Sequence, residues 1–309
     1  MRHALAAATL AASLLTVAGV RERAPDERDT LVAPAVVEEP LVVDAAWLAR
    51  HLHDRNLVLL HVGDPAQYDS AHIPGAQLVT QRAVSVSSDD HERGLMLELP
   101  TPDSLRAMLQ RIGIGDDSRI VVYYGGEWVS PTTRVVFTLD HAGLGARTSL
   151  LDGGLPAWVA AGNPVSKGKP VVAPGHLSAL RTKPLVVDAA WVQAHLGKPG
   201  VAIVDARAAS FYDGVEATGA RKGHIPGAHS FPFTDIAGDD LTLYSREALA
   251  ARFARAGVAP GDTVVGYCHI GQQATAMLFA ARLTGHPIRL YDGSMQEWSR
   301  RTELPLETR

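Results

Sequence analysis

Three blocks of this sequence occur twice, in the same order, and that self-similarity restricts the fold more than any other feature. Val42-Val43-Asp44-Ala45-Ala46-Trp47 recurs as Val186-Val187-Asp188-Ala189-Ala190-Trp191, an offset of 144 residues. His72-Ile73-Pro74-Gly75-Ala76 recurs as His224-Ile225-Pro226-Gly227-Ala228, an offset of 152, and Asp152-Gly153 with Trp158 returns as Asp292-Gly293 with Trp298, an offset of 140. Ordered repetition of this kind marks a duplicated unit of about 120 residues, an ordinary domain size. A length of 309 residues holds two such units, expected at 41–166 and 185–309. The stretch 167–184, with Lys-Gly-Lys-Pro and Ala-Pro-Gly, reads as the connection between them.

Within each unit, short apolar runs alternate with amphipathic segments. In the second unit Val201–Asp205, Thr263–Tyr267 and Ile288–Tyr291 read as buried strands. Ser245–Ala256, with Ser245 as N-cap and Gly257 as stop, and Ala274–Leu283 read as helices. The first unit offers Leu57–Leu60 and Ile120–Tyr123 as strands, and a helix capped by Thr101 with Pro102 in its first turn. The predicted class is therefore α/β: two tandem domains, each a mainly parallel sheet with helices on both faces. In such sheets reactive groups gather beyond the C-terminal ends of the strands.

Cys268, the only cysteine, falls at such a place, between the strand ending at Tyr267 and the following helix. A thiol there faces the free N–H groups of a helix start, which favour the thiolate and predict a lowered pKa. Gly271 permits a tight loop around it.

The loop Cys268-x-x-Gly271-x-x-Ala274, the two HIPGA segments and the two Asp-Gly…Trp blocks resemble the tandem-domain rhodanese family, over roughly residues 41–300. The resemblance implies a sulfurtransferase that carries sulfur as a persulfide of Cys268. Its substrates would be a small anionic sulfur donor and a thiophilic acceptor such as cyanide or another thiol, with no metal or organic cofactor. Backbone N–H groups of the loop His269, Ile270, Gly271, Gln272 and Gln273 would hold the terminal sulfur. Related phosphatases use a Cys-x5-Arg loop, and the residue six beyond Cys268 is Ala274, which speaks against phosphate chemistry.

The chain also departs from the family pattern. The first unit has Tyr124 where the 144-residue offset places Cys268, and His61-Val62-Gly63 where the second has Asp205-Ala206-Arg207, so it is expected to be catalytically silent. Its His72 and Pro74 are expected to shape a loop. The arginine that two-domain relatives usually place four residues after Arg207 is Phe211 here, and the loop carries no Lys or Arg; His269 is its only possible cation. Arg207, Arg221, Lys222 and Asp205 are the candidates for binding or orienting substrate; for Arg207 an ion pair with Asp205 or Asp292 is the competing role. Thiosulfate is the expected donor, because His-Ile-Gly-Gln-Gln does not match the Gly-Ser-Gly-Val-Thr of mercaptopyruvate-type relatives. 3-Mercaptopyruvate, or a non-catalytic persulfide carrier serving a protein partner, are the alternatives.

The remaining features set the context. Met1-Arg2-His3, the Ala/Leu/Val run to Ala18 and small residues around Gly19 read as a signal peptide over 1–20, followed by a charged, proline-containing linker over 21–40, and predict export to the periplasm without stable membrane insertion after cleavage. A net charge of −4 without a dense basic run argues against a nucleic-acid partner. Thirteen histidines invite a metal site, but His51-x-His53 and Asp89-Asp90-His91 lack a convincing third ligand. Trp47, Trp158, Trp191 and Trp298 repeat at equivalent places and read as packing residues, whereas Trp128 has no counterpart and is a candidate cover for the site.

Overall fold

The computed structural model describes residues 1, 39–90, 94–126, 129–219 and 221–309. The expected signal peptide, most of the linker before residue 39, His91 and Trp128 lie outside the described residues. From Glu39 onward the described chain belongs to one compact unit.

The N-terminal half runs β1 (Val42–Val43), α1 (Ala45–His51), β2 (Leu57–Val62), α2 (Pro65–Ser70), β3 (Gln77–Val79), α3 (Pro102–Arg111), β4 (Arg119–Tyr124), α4 (Val129–His141), β5 (Thr148–Leu151) and α5 (Gly154–Ala160). The C-terminal half runs β6 (Val186–Val187), α6 (Ala189–Ala194), β7 (Val201–Asp205), α7 (Ala209–Tyr212), a short antiparallel ribbon of β8 (Ala217–Thr218) and β9 (Arg221–Lys222), then β10 (His229–Ser230), α8 (Arg246–Arg255), β11 (Thr263–Tyr267), α9 (Gln272–Leu283), β12 (Ile288–Tyr291) and α10 (Ser294–Trp298). Each half forms a five-stranded sheet, ordered β1-β5-β4-β2-β3 and β10-β7-β11-β12-β6, in which every pairing is parallel.

Alternation along the strands explains why both faces are covered. Ile120 and Val122 of β4 pack with Leu105 and Leu109 of α3 and Val135 and Leu139 of α4, whereas Val121 and Tyr123 pack on the other face with Leu48 and Trp158. Val264 of β11 lies with Leu249 and Phe253 of α8 and Met277 of α9, whereas Val265 and Tyr267 lie with Val192, Met295 and Trp298. Helix signals in the sequence act as expected: Ser245 Oγ caps α8 at Ala248 N, and Gly257 ends it at φ +91°. Helix α9 begins two residues before the expected Ala274, because Gly271 at φ +79° turns the chain directly into it. Trp158 and Trp298 are fully buried, donating to the carbonyls of Pro164 and Pro305; Trp47 and Trp191 are half-buried, Trp47 packing at a tilt against His51 and Trp191 stacking on His195.

The HIPGA segments serve the same structural purpose in both halves. His72 stacks on Tyr68 and bonds its carbonyl through Nδ1 at 2.8 Å; His224 repeats this on Tyr212 at 2.7 Å. Tyr123 and Tyr267 each accept the N–H of the following isoleucine, Ile73 at 3.0 Å and Ile225 at 3.1 Å. The stretch 167–184, expected to be a connection, is strapped to the first half: Gly175 N donates to Gln110 O, Lys183 N to His141 O, and Leu177 is buried.

The halves meet along α4 and α9, where the Thr133 and Thr275 hydroxyls lie 3.1 Å apart and Tyr124 and Phe137 join the core of the second half. Arg134 of α4 crosses this seam. Fully buried, it places Nη1 at 2.6 Å from Asp292 Oδ1 and Nη2 at 3.0 Å from Oδ2, and also donates to the carbonyls of Gly271 and Leu97. Removing one partner of a buried pair strands a charge, so Arg134→Ala is expected to lower unfolding stability by about 3–5 kcal/mol. Urea denaturation checks this; a loss within ~0.5 kcal/mol, the range of ordinary surface substitutions, would show that the pair does not hold the halves together.

Candidate active site

Strand register aligns the two halves at their strand ends. Asp205 pairs with Tyr267 across β7 and β11, as His61 pairs with Tyr123 across β2 and β4, so the residue after each tyrosine is Cys268 in one half and Tyr124 in the other. The position equivalent to Arg207 in the first half is Gly63.

The loop from Cys268 to Gly271 is held from outside so that its N–H groups face inward. Cys268 N donates to Ser294 Oγ at 3.1 Å, while the Cys268 and His269 carbonyls accept from Met295 N and Gln296 N at 3.0 and 2.9 Å. Gly271 is required: a Cβ there would run into the carboxylate and carbonyl of Asp292. The Cys268 sulfur then receives backbone N–H groups of Ala274, Ile270, Gln273 and Gly271.

Burial nevertheless pushes the Cys268 thiol above its ordinary pKa, and the four N–H donors only partly offset it. This corrects the expectation of a lowered pKa: the helix-start donors are present, but complete burial outweighs them. Cys268 forms the floor of a cavity of about 320 Å³, with His269, Ile270, Gln272 and Gln273 around it. Ser130 and Pro131 of the first half and Phe233 complete the wall, and Gln272 Nε2 reaches Ser130 Oγ at 3.4 Å. A neighbouring cavity of about 290 Å³ shares Ser130 and Phe233 and extends the depression along the seam.

The basic candidates stand elsewhere. Arg207 is fully buried, with Nε at 3.0 Å and Nη2 at 2.6 Å from Asp205, Nη2 at 2.8 Å from Gly223 O and Nη1 at 3.2 Å from Thr218 Oγ1. Although burial works against its charge, Asp205 holds that guanidinium more firmly protonated than usual. Asp292, the other expected partner of Arg207, belongs to Arg134 instead. Arg221 donates to the carbonyls of Arg301 and Leu304, and exposed Lys222 to that of Val215. None of the three basic side chains lines the cavity, and among the described residues that line it none is Lys or Arg. His269 does line it, its Nδ1 at 2.6 Å from Thr218 Oγ1 and its ring edge-on to Phe211 at 4.5 Å; burial and Arg207 lower its pKa.

Comparison with known proteins agrees with this arrangement. Residues 44–161 and 188–301 each match the rhodanese-like domain. The chain belongs to the rhodanese family. It is 37% identical over 279 residues to a probable 3-mercaptopyruvate sulfurtransferase of Pseudomonas aeruginosa, covering 86% of this chain and 98% of the relative. It is 30% identical over 272 residues to a thiosulfate sulfurtransferase of Azotobacter vinelandii, covering 87% and 97%. The 3-mercaptopyruvate sulfurtransferase of Escherichia coli K12 is 30% identical over 279 residues, covering 86% and 97%. In fold, the crystal structure of YnjE superposes with a TM-score of 0.77 at 24% identity, covering 87% of this chain and 68% of that one.

Arg134, Thr218, Ser294 and the wall residues Ser130, Pro131 and Phe233 escaped sequence reasoning. Arg134 alone left a signal, a charge set within the apolar helical run Val135-Val136-Phe137. For a rhodanese-type thiol with a raised pKa, the rate of persulfide formation in a single turnover should climb about tenfold per pH unit between pH 6 and 8, since only the thiolate attacks. Rapid-mixing measurements check it; a plateau reached by pH 7 would show a depressed pKa.

Proposed function

We propose that Cys268 accepts sulfane sulfur from thiosulfate and passes it to cyanide or another thiophilic acceptor. The observation that carries this reading is the buried Cys268 sulfur at a cavity floor, ringed by backbone N–H groups of residues 270, 271, 273 and 274. In the first step the Cys268 thiolate attacks the outer sulfur of thiosulfate. A new S–S bond forms, the donor S–S bond breaks, and sulfite leaves with its electron pair. The persulfide's terminal sulfur carries negative charge, and preorganised N–H donors stabilise such charge without reorganising. In the second step cyanide attacks that sulfur, thiocyanate departs and the thiolate is restored, a ping-pong sequence. Each step needs only the groups named.

3-Mercaptopyruvate is the second reading, favoured by the 37% identical relative with that name and by a cavity wall without a Lys or Arg among its described residues. The same thiolate would take the substrate's sulfur, and the C–S bond electrons would leave as pyruvate enolate, which is then protonated. A protein thiol as final acceptor fits either donor. Among the described residues no helix is long and apolar enough to cross a membrane. The Ala/Leu-rich stretch over 1–20 supports export to the periplasm.

The test is an intact-mass measurement after incubation with either donor. One sulfur atom should be gained, removed by cyanide, and absent from Cys268→Ser. Failure of both donors to load the wild-type chain would end the enzymatic reading, and the ratio of kcat/KM values would choose between the donors.

A further inference from the structure

We infer that Thr218 is a positioning residue that fixes His269 with its proton on Nε2, presenting an N–H donor to the sulfur donor's leaving group beside Cys268. The inference rests on the reading of Cys268 as the sulfur-carrying nucleophile. Its basis is a run of three hydrogen bonds whose directions can be assigned in turn.

The run starts at the end of β7. Asp205 takes Arg207 N, Nε and Nη2, which orients the guanidinium and leaves Nη1 directed at Thr218 Oγ1, 3.2 Å away. A guanidinium has donors only, so the threonine oxygen must accept at that bond. Its own proton remains, and the acceptor it faces is His269 Nδ1 at 2.6 Å. Assigning that proton to the Nδ1 bond leaves Nδ1 bare, and an uncharged imidazole with a bare Nδ1 carries its proton on Nε2.

Two further observations support an uncharged ring. His269 is partly buried, and the fixed charge of Arg207 lies one hydroxyl away; both effects lower its pKa. The ring is also immobilised, with Phe211 edge-on at 4.5 Å and the His269 carbonyl held by Gln296 N.

The consequence is chemical. His269 lines the same cavity as Cys268. When sulfur is transferred, negative charge accumulates on sulfite or on the enolate oxygen, and a preplaced N–H aimed there stabilises the transition state more than the ground state. A cationic histidine would lose its charge as pH rises into the range where a thiol of raised pKa ionises. An uncharged Nε2–H donor persists throughout that range. Arg207, with no place on the cavity wall, thus acts on substrate only through Thr218 and His269.

The experiment uses the full chain with 15N-labelled histidine. In the wild type, His269 should show a protonated Nε2 and a bare Nδ1 throughout pH 7–9. Thr218→Val keeps the shape and removes the hydroxyl; it should give mixed tautomers and lower kcat/KM for the donor by about tenfold or more, with the loss in kcat, as expected when a placed group loses its alignment. Thr218→Ser should restore both. A wild-type His269 protonated on Nδ1 would overturn the assignment, as would a Thr218→Val chain with unchanged tautomer and kcat/KM. The tautomer is read without turnover, while persulfide loading is weighed separately. Loss of loading in the wild type would therefore defeat the nucleophile reading, and a wrong tautomer alone would defeat this one.

Discussion

A buried guanidinium locked on a carboxylate, Arg134 on Asp292, is the contact on which the site's construction depends. Both groups lose their water, and the cost is offset only because the two nitrogens meet the two oxygens and further N–H groups find the carbonyls of Gly271 and Leu97. The arrangement joins α4 of the first half to the turn that closes the Cys268 loop. It also fixes the position of Ser130 and Pro131, one turn earlier on the same helix, as a wall of the cavity. A single copy of the repeated unit would thus provide the thiol and its ring of N–H donors, but an incomplete cavity.

The two halves use one framework to opposite ends. Tyr123 and Tyr267 grip equivalent loops, and the strand registers coincide. Each Asp-Gly corner reaches into the other half, Asp292 to Arg134 and Asp152 to Leu243 N at 2.9 Å, so the seam approximates the reciprocal contacts of a symmetric dimer. The halves diverge at the strand ends and in the β8–β9 ribbon of the second half. Where one half has Cys268, the other has Tyr124, whose hydroxyl donates across the seam to Leu241 O at 2.7 Å. At that position the first half has an interface contact in place of a thiol.

The fold was legible because it depends on local and periodic signals: the duplicated blocks, the apolar runs and the Thr101, Ser245 and Gly257 caps all act within a few residues of themselves. Cys268 was legible for the same reason, lying at a strand end before a glycine-containing turn. The cationic partners were not. Arg207 precedes Phe211 and follows Asp205 closely enough for an ion pair to be foreseen, but its fourth donor goes to Thr218 on a ribbon that has no periodicity to announce it. Arg134 and Asp292 are 158 residues apart, and only packing of α4 on α9 brings them together. The pKa of Cys268 went the other way from expectation because sequence reveals a helix start but not the depth at which it is buried.

That reversal bears on what the ring of N–H groups is for. If its task were to ionise the resting thiol, burial would defeat it, since desolvation is the larger effect on Cys268. A persulfide is a stronger acid than its parent thiol and places its charge on the outer sulfur, farther into the cavity. The donors set around the Cys268 sulfur oppose the cost of burying its charge, and the charge of the loaded form sits one sulfur farther out, where the cavity wall carries the His269 ring.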